Sequence, residues 1–175
     1  MSDLRYPIGP FTKVSSLTLE QRATCIEQIA AAPAHFRHAV SGLTDAQLDT
    51  PYRPGGWTVR QVAHHLPDSH LNAYVRFKLG ITEDGPAIKT YEEKRWAETP
   101  EARSAPIGMS LDLLTALHER WVALLRAMTP ADFGRTITHP EWGRPALDAM
   151  LALYAWHGRH HTAHVTALRE RMGWR

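Results

Sequence analysis

Cys25 is the only cysteine, so no disulfide can form within the chain. No apolar run approaches a membrane span, and the opening "MSDLRYPIGPF" lacks the apolar core of a secretion signal. Charge of one sign never gathers into a block: 20 basic and 18 acidic side chains leave a formal +2 without a basic stripe. That argues against a nucleic-acid partner. Convincing strand pairs, internal repeats and low-complexity tracts are missing as well. A cytoplasmic protein without membrane or nucleic-acid partners is expected. In bulk the chain is ordinary, with 175 residues, 43% hydrophobic and 22% charged, enough for a single domain over residues 1–175 with a real core. Its oddities are 11 histidines and 6 tryptophans.

Capping boxes mark where helices begin. Thr18 to Gln21 ("TLEQ") opens a helix with Ile26, Ile29, Phe36 and Val40 on one stripe, ending near Gly42. Pro33 is expected to bend or divide it. A short helix "TDAQLD" from Thr44 leads into the turn-rich "TPYRPGG". Thr58 to Gln61 ("TVRQ") opens a second long helix to about Gly80, with Val59, Val62, Leu66, Ala73 and Phe77 inward and a bend at Pro67. Residues 81–109 have no helical period and read as a long loop. Ser110 is expected to cap the third long helix, whose stripe is Leu111, Leu114, His118, Trp121, Leu125 and Met128. After a short "TPADF" helix start and the turn "THPEWGRP", the last helix runs from about Ala146 to Met172, with Gly173 to end it. The expected fold is an all-α four-helix bundle with a long loop between the second and third long helices.

The last helix contains "WHGRHHTAHV" over residues 156–165. Its apolar stripe of Leu147, Leu151 and Tyr154 continues into His157, His161 and His164, then Leu168, while His160 lies to one side near Trp156. Histidines four apart on a helix can converge on one cation. A third ligand must come from another helix, and "VAHHLPDSH" offers His64, His65 and His70. His65 borders the inward stripe, whereas His64 and His70 fall toward the outer face. The favoured set is His65, His157 and His161, with an open position for water or substrate. The competing reading is a set of hydrogen-bonded core histidines. Several neutral imidazoles in one apolar interior each need partners, and a shared metal supplies them.

At "GGWTVRQVAHHLPDSH" and "LYAWHGRHHTAHV" the chain resembles the YfiT group of the DinB-like superfamily. The likeness extends through "RYPIGPF", "DTPYRPGGWTVRQVAHHL", "RFKLGITEDGPAIKTYEEKRW" and the terminal "MGW". It implies a four-helix bundle with one divalent metal on three histidines, carried onto His65, His157 and His161. Related chains often continue after the second ligand with Arg-Gly-Gln, where this one has Thr162, Ala163 and His164. His164 is then a pocket or supporting residue, and the pair His160/His164 stays open as an alternative to His157/His161. Pro67 is an unusual residue in a ligand-bearing helix and could shift His70. The resemblance also implies either a metal-dependent hydrolase or a low-molecular-weight thiol S-transferase of the bacillithiol type, as a homodimer.

Three neutral imidazoles leave a divalent ion its full charge, with zinc expected and nickel as the alternative. Such an ion lowers the pKa of bound water toward ~7 and deprotonates a bound thiol. No glutamate stands beside the histidine pair as it would in HExxH, and His118-Glu119 has Val122 where the second histidine would be. Transfer of a thiol to a small electrophile is therefore preferred, with hydrolysis second and a non-enzymatic metal-binding protein third. Candidate pocket residues are His164, Tyr154, Asn72 and Arg76, the last reading either as a substrate-carboxylate contact or as a surface ion pair. Trp57 either lines the pocket or simply packs. His118 reads as a hydrogen-bonded core histidine, and Cys25 as a small buried hydrophobe.

Overall fold

A computed structural model describes residues 3–174. Four long helices carry the architecture: α1 (Leu19–Val40), α3 (Val59–Thr82), α6 (Gly108–Ala127) and α8 (Leu147–Met172). Short turns of helix link them: α2 (Asp45–Leu48), α4 (Glu93–Trp96), α5 (Pro100–Ser104) and α7 (Pro130–Gly134). Among the described residues there is no strand, only isolated bridges. None of their helices is long and apolar enough to cross a membrane.

The capping boxes expected at Thr18 and Thr58 form, and the short helix expected from Thr44 opens with one as well: each threonine accepts from the backbone three residues on and the glutamine there reaches back. Gly173 closes α8 at φ 66°, a conformation that costs glycine least. Of the two outcomes expected at Pro33, division does not occur, since α1 is one helix across it. Two expectations need correction. Residues 81–109 are not all loop, since α4 and α5 form within them. α6 starts at Gly108, so Ser110 lies inside it; its hydroxyl is engaged with His64 Nδ1 at 2.7 Å instead of capping.

α1 packs on α6 and α8, and α3 packs on the same two, which sets α1 and α3 on one diagonal of the bundle. Two apolar clusters fill the interior. One gathers Ile29, Phe77, Trp121 and Leu151; the other gathers Phe36, Val62, Leu66, Leu114 and Val165. Along α6 and α8 the histidines fall between the stretches that feed these clusters, as His70 does on α3, while His64 and His65 sit at the edge of the second cluster's stretch. A polar layer is thus held at mid-bundle between two apolar plugs. A partly buried ion pair ties α1 to α8, with Arg22 Nε and Nη2 donating to Asp148 at 2.7 and 2.8 Å.

Candidate metal centre

His65 on α3 and His157 and His161 on α8 bring one ring nitrogen each to within 4.8 Å of one another. His65 Nε2 stands 3.4 Å from His157 Nε2. Two nitrogens bound tetrahedrally at about 2.0–2.1 Å would sit roughly that far apart. Burial pushes His65 down to about 3, and desolvation holds His157 and His161 well below the ordinary histidine value. The rings are neutral at physiological pH, as ligands must be.

Two chains of histidines decide which nitrogen is bare on two of the three candidate ligands, His157 and His161. His118 Nδ1 lies 2.7 Å from the Ile29 carbonyl, which can only accept, so Nδ1 carries the proton and Nε2 is a lone pair. His70 Nδ1 must then donate to His118 Nε2, at 2.7 Å. His70 Nε2 accepts from His157 Nδ1 at 3.0 Å, leaving His157 Nε2 bare and facing His65. The second chain starts at the Arg5 carbonyl, to which His164 Nε2 donates at 3.1 Å. His164 Nδ1 then accepts from His161 Nδ1 at 3.4 Å, leaving His161 Nε2 bare. Hydrogen bonds that fix the tautomer and aim of a ligating histidine are the usual support of a metal site. The donor set fits a divalent ion.

The Ile29 carbonyl is available because of the sequence. It lies four residues before Pro33, which has no N–H to return to it.

The three rings open onto a cavity of about 590 Å³, lined also by Trp57, Ser69, Arg76, Tyr91, His139 and Tyr154. The carboxylates on its wall, Glu92, Glu93 and Glu141, belong to exposed residues at the mouth. His139 Nδ1 accepts the backbone N–H groups of Glu141 and Trp142, at 3.1 and 3.3 Å. A neutral His139 therefore carries its proton on Nε2. Burial raises the Tyr91 phenol beyond its ordinary range and raises Tyr154 as well, so both stay protonated donors.

Of the pocket candidates, Tyr154 and Arg76 line this cavity. His164 stands behind His161, stacked on Tyr52 at 3.9 Å between ring centroids. Asn72 does not reach the cavity; it lines a neighbouring one and donates to the Asp68 carbonyl. His160 stacks on Trp156 at 4.2 Å, as its place on the helix suggested. His160, His161 and His164 form a second close group of ring nitrogens, so the alternative pair is also brought together. In that group, however, His164 Nε2 is engaged by the Arg5 carbonyl.

His64 and His70 are not on the outer face: they are 5% and 0% exposed. The outer side of α3 is covered near α5, where His64 meets Ser110 and the Ala105 carbonyl. Arg76 is no surface ion pair either, being 7% exposed. His118 is a hydrogen-bonded core histidine, as expected, but it also supports the ligand chain. The sequence reading missed His139, Ser69 and Tyr91, which come from the segments after α3 and before α8 or from the wall of α3.

Residues 28–165 match the family model of the DinB superfamily. A protein of Bacillus mycoides (strain KBAB4) named "putative metal-dependent hydrolase" is 54% identical over 174 residues, covering 99% of this chain and 100% of its own. One of Bacillus cereus (strain 03BB102) with the same name is 52% identical over the same share. Among solved structures, YfiT from Bacillus subtilis, described as a "probable metal-dependent hydrolase with an unusual four-helix bundle topology", superposes with a TM-score of 0.95 at 50% identity. The match covers 98% of this chain and 99% of that one. TT2238, a four-helix bundle protein, superposes at 0.51 with 22% identity over 85% of this chain and 98% of its own, a likeness of fold alone.

Proposed function

The chain belongs to the DinB superfamily, and from that premise we propose that it is an enzyme in which His65, His157 and His161 hold one divalent metal, zinc or nickel. The reaction we assign is transfer of a low-molecular-weight thiol, of the bacillithiol type, to a small electrophile such as an epoxide or activated halide. The observation that carries the metal assignment is the convergence of three ring nitrogens within 4.8 Å, with those of His157 and His161 left bare by their hydrogen-bond chains. A divalent ion held there supplies Lewis acidity that makes a thiol or water nucleophilic near neutral pH.

The remaining work falls to the chain itself. Behind His157 the supporting rings of His70 and His118 are buried, which keeps bulk water from that side of the site. Tyr154, Tyr91 and His139 offer O–H and N–H donors to a substrate in the cavity. Among the described residues no buried carboxylate stands on the cavity wall to take a proton from water, which favours a nucleophile that needs no such base. Hydrolysis is the second reading, favoured by the names of the Bacillus relatives.

The first test is metal content per chain by mass spectrometry, with His65→Ala and His161→Ala variants prepared identically. About one ion per wild-type chain, lost in folded variants, is expected; a wild type that stays empty after saturation with zinc and nickel refutes the metal assignment. Loaded protein is then offered thiols with epoxides and halides, and products are weighed. Conjugates are expected, and hydrolysis products alone would replace transfer with hydrolysis.

A further inference from the structure

Among the described residues two arginines are buried, and they are treated differently. Arg60 is met by two carboxylates, Asp49 at 2.6 Å and Asp45 at 2.8 Å. Arg76, 7% exposed, has no carboxylate partner among the described residues. Its Nη1 donates to the Tyr154 hydroxyl at 3.1 Å and its Nη2 to the Lys89 carbonyl at 3.2 Å. A guanidinium has five N–H donors in a planar fork, so donors remain unused. A buried charge without a counter-ion is costly unless something supplies one.

Arg76 lines the same cavity as His65, His157 and His161. His65, Ser69 and Arg76 follow one another along α3 at steps of four and seven, which keeps them on one face. Roughly 16 Å of helix axis separates the first from the last. A helical side chain leans toward the helix N-terminus, so the guanidinium reaches back toward the imidazoles. Glu92, Glu93 and Glu141, the acidic residues of the cavity wall, form no ion pair with it, and exposed Lys94 adds a second cation at the mouth.

We propose that the cavity takes a small molecule bearing a carboxylate, held by the Arg76 fork beside the Tyr154 hydroxyl, with its reacting end at His65, His157 and His161. A carboxylate matches the planar fork through two parallel N–H···O bonds and supplies the missing counter-charge. The proposal rests on the metal reading only for what lies at the reacting end; the Arg76 contact stands apart from it.

The test is calorimetric binding of ω-mercaptoalkanoates of increasing length to zinc-loaded protein, each paired with the ω-mercaptoalkanol of the same length. At the best length the carboxylate should bind about tenfold tighter or more. Arg76→Gln should close that gap, and Arg76→Lys should leave part of it, since the cation stays and the fork is lost. Circular dichroism confirms that each variant is folded, and if Arg76→Gln is not, the Arg76→Lys comparison decides. Equal binding of the paired probes to wild type, or a gap that survives in the folded variant, overturns the proposal. If the protein takes no zinc or binds neither thiol, the metal reading fails instead. Plain alkanoates and alkanols on metal-free protein then decide: saturable alkanoate binding lost in the variant supports Arg76, and none overturns it.

Discussion

Acid should unfold the metal-free protein unusually early. His65 and His118 are pushed down to about 3 and about 4, and His70, His157 and His161 lie well below the ordinary value, burial being the leading cause each time. The sign follows from which state takes the proton. An unfolded chain protonates its histidines near pH 6.5, while the folded chain keeps these rings neutral, so lowering the pH favours the unfolded state. Stability is full above about pH 7 and falls as the pH drops below the unfolded value. One unit below it, at about pH 5.5, each ring costs about 1.4 kcal/mol, or about 7 kcal/mol for the five together. That is comparable to the whole stability of an ordinary domain. The assay is urea denaturation of chelator-treated protein, followed by circular dichroism between about pH 8 and pH 5. The midpoint should hold steady at the alkaline end and collapse toward pH 5.5. A loss below about 2 kcal/mol over that interval would refute the neutral, buried cluster.

His118→Leu removes the acceptor for the His70 Nδ1 proton in a fully buried setting. A loss of about 1–3 kcal/mol in denaturant melts and metal binding weakened about 10–100-fold are expected; unchanged affinity would make the chain merely structural. Pro33→Ala supplies a backbone N–H that draws the Ile29 carbonyl back into the helix. Metal affinity measured by chelator competition should fall even if thermal stability rises, and a rise in stability with affinity unaltered would break that link. At Gly158 an added Cβ would lie 3.0 Å from Ala32 Cβ, which belongs to the facing helix and cannot rotate away. Overpacking of about 1–3 kcal/mol should outweigh the helix-propensity gain of about 1 kcal/mol, so Gly158→Ala should lower the melting temperature.

Much of the bundle was legible because helix starts are written locally. Thr18, Thr44 and Thr58 each have their glutamine three residues on, and this suffices to place a terminus. The histidine face of α8 was legible because Leu147, Leu151 and Tyr154 set a phase that His157 and His161 inherit. α3 was harder, because a single stripe describes a helix with one buried face. α3 packs on α6, on α8 and under α5, so His64 and His70 are buried on arcs that the stripe assigned to solvent. Arg76 was ambiguous for a related reason: whether an arginine meets a carboxylate depends on what the distant segment 87–91 brings to it, and there it brings the Lys89 carbonyl.

Pro33 shows how a local defect in one helix sets the hydrogen bonding of others. Read along the sequence, a proline in mid-helix signals a break, because it removes one hydrogen bond and crowds the carbonyl four residues before it. α1 nevertheless stays whole, held on both sides by α6 and α8. The carbonyl left without a partner is Ile29, and His118 takes it at 2.7 Å. A carbonyl can only accept, so this one contact sets the tautomer of His118, then of His70, then of His157. Two rings away, it determines that His157 turns a bare Nε2 toward His65. The missing N–H in α1 thereby helps to specify the donor set between α3 and α8, across the width of the bundle. A histidine layer built from side chains alone could exchange tautomers freely. Anchored at the Ile29 and Arg5 carbonyls, these two chains each have a single order, and that order leaves the Nε2 lone pairs of His157 and His161 bare.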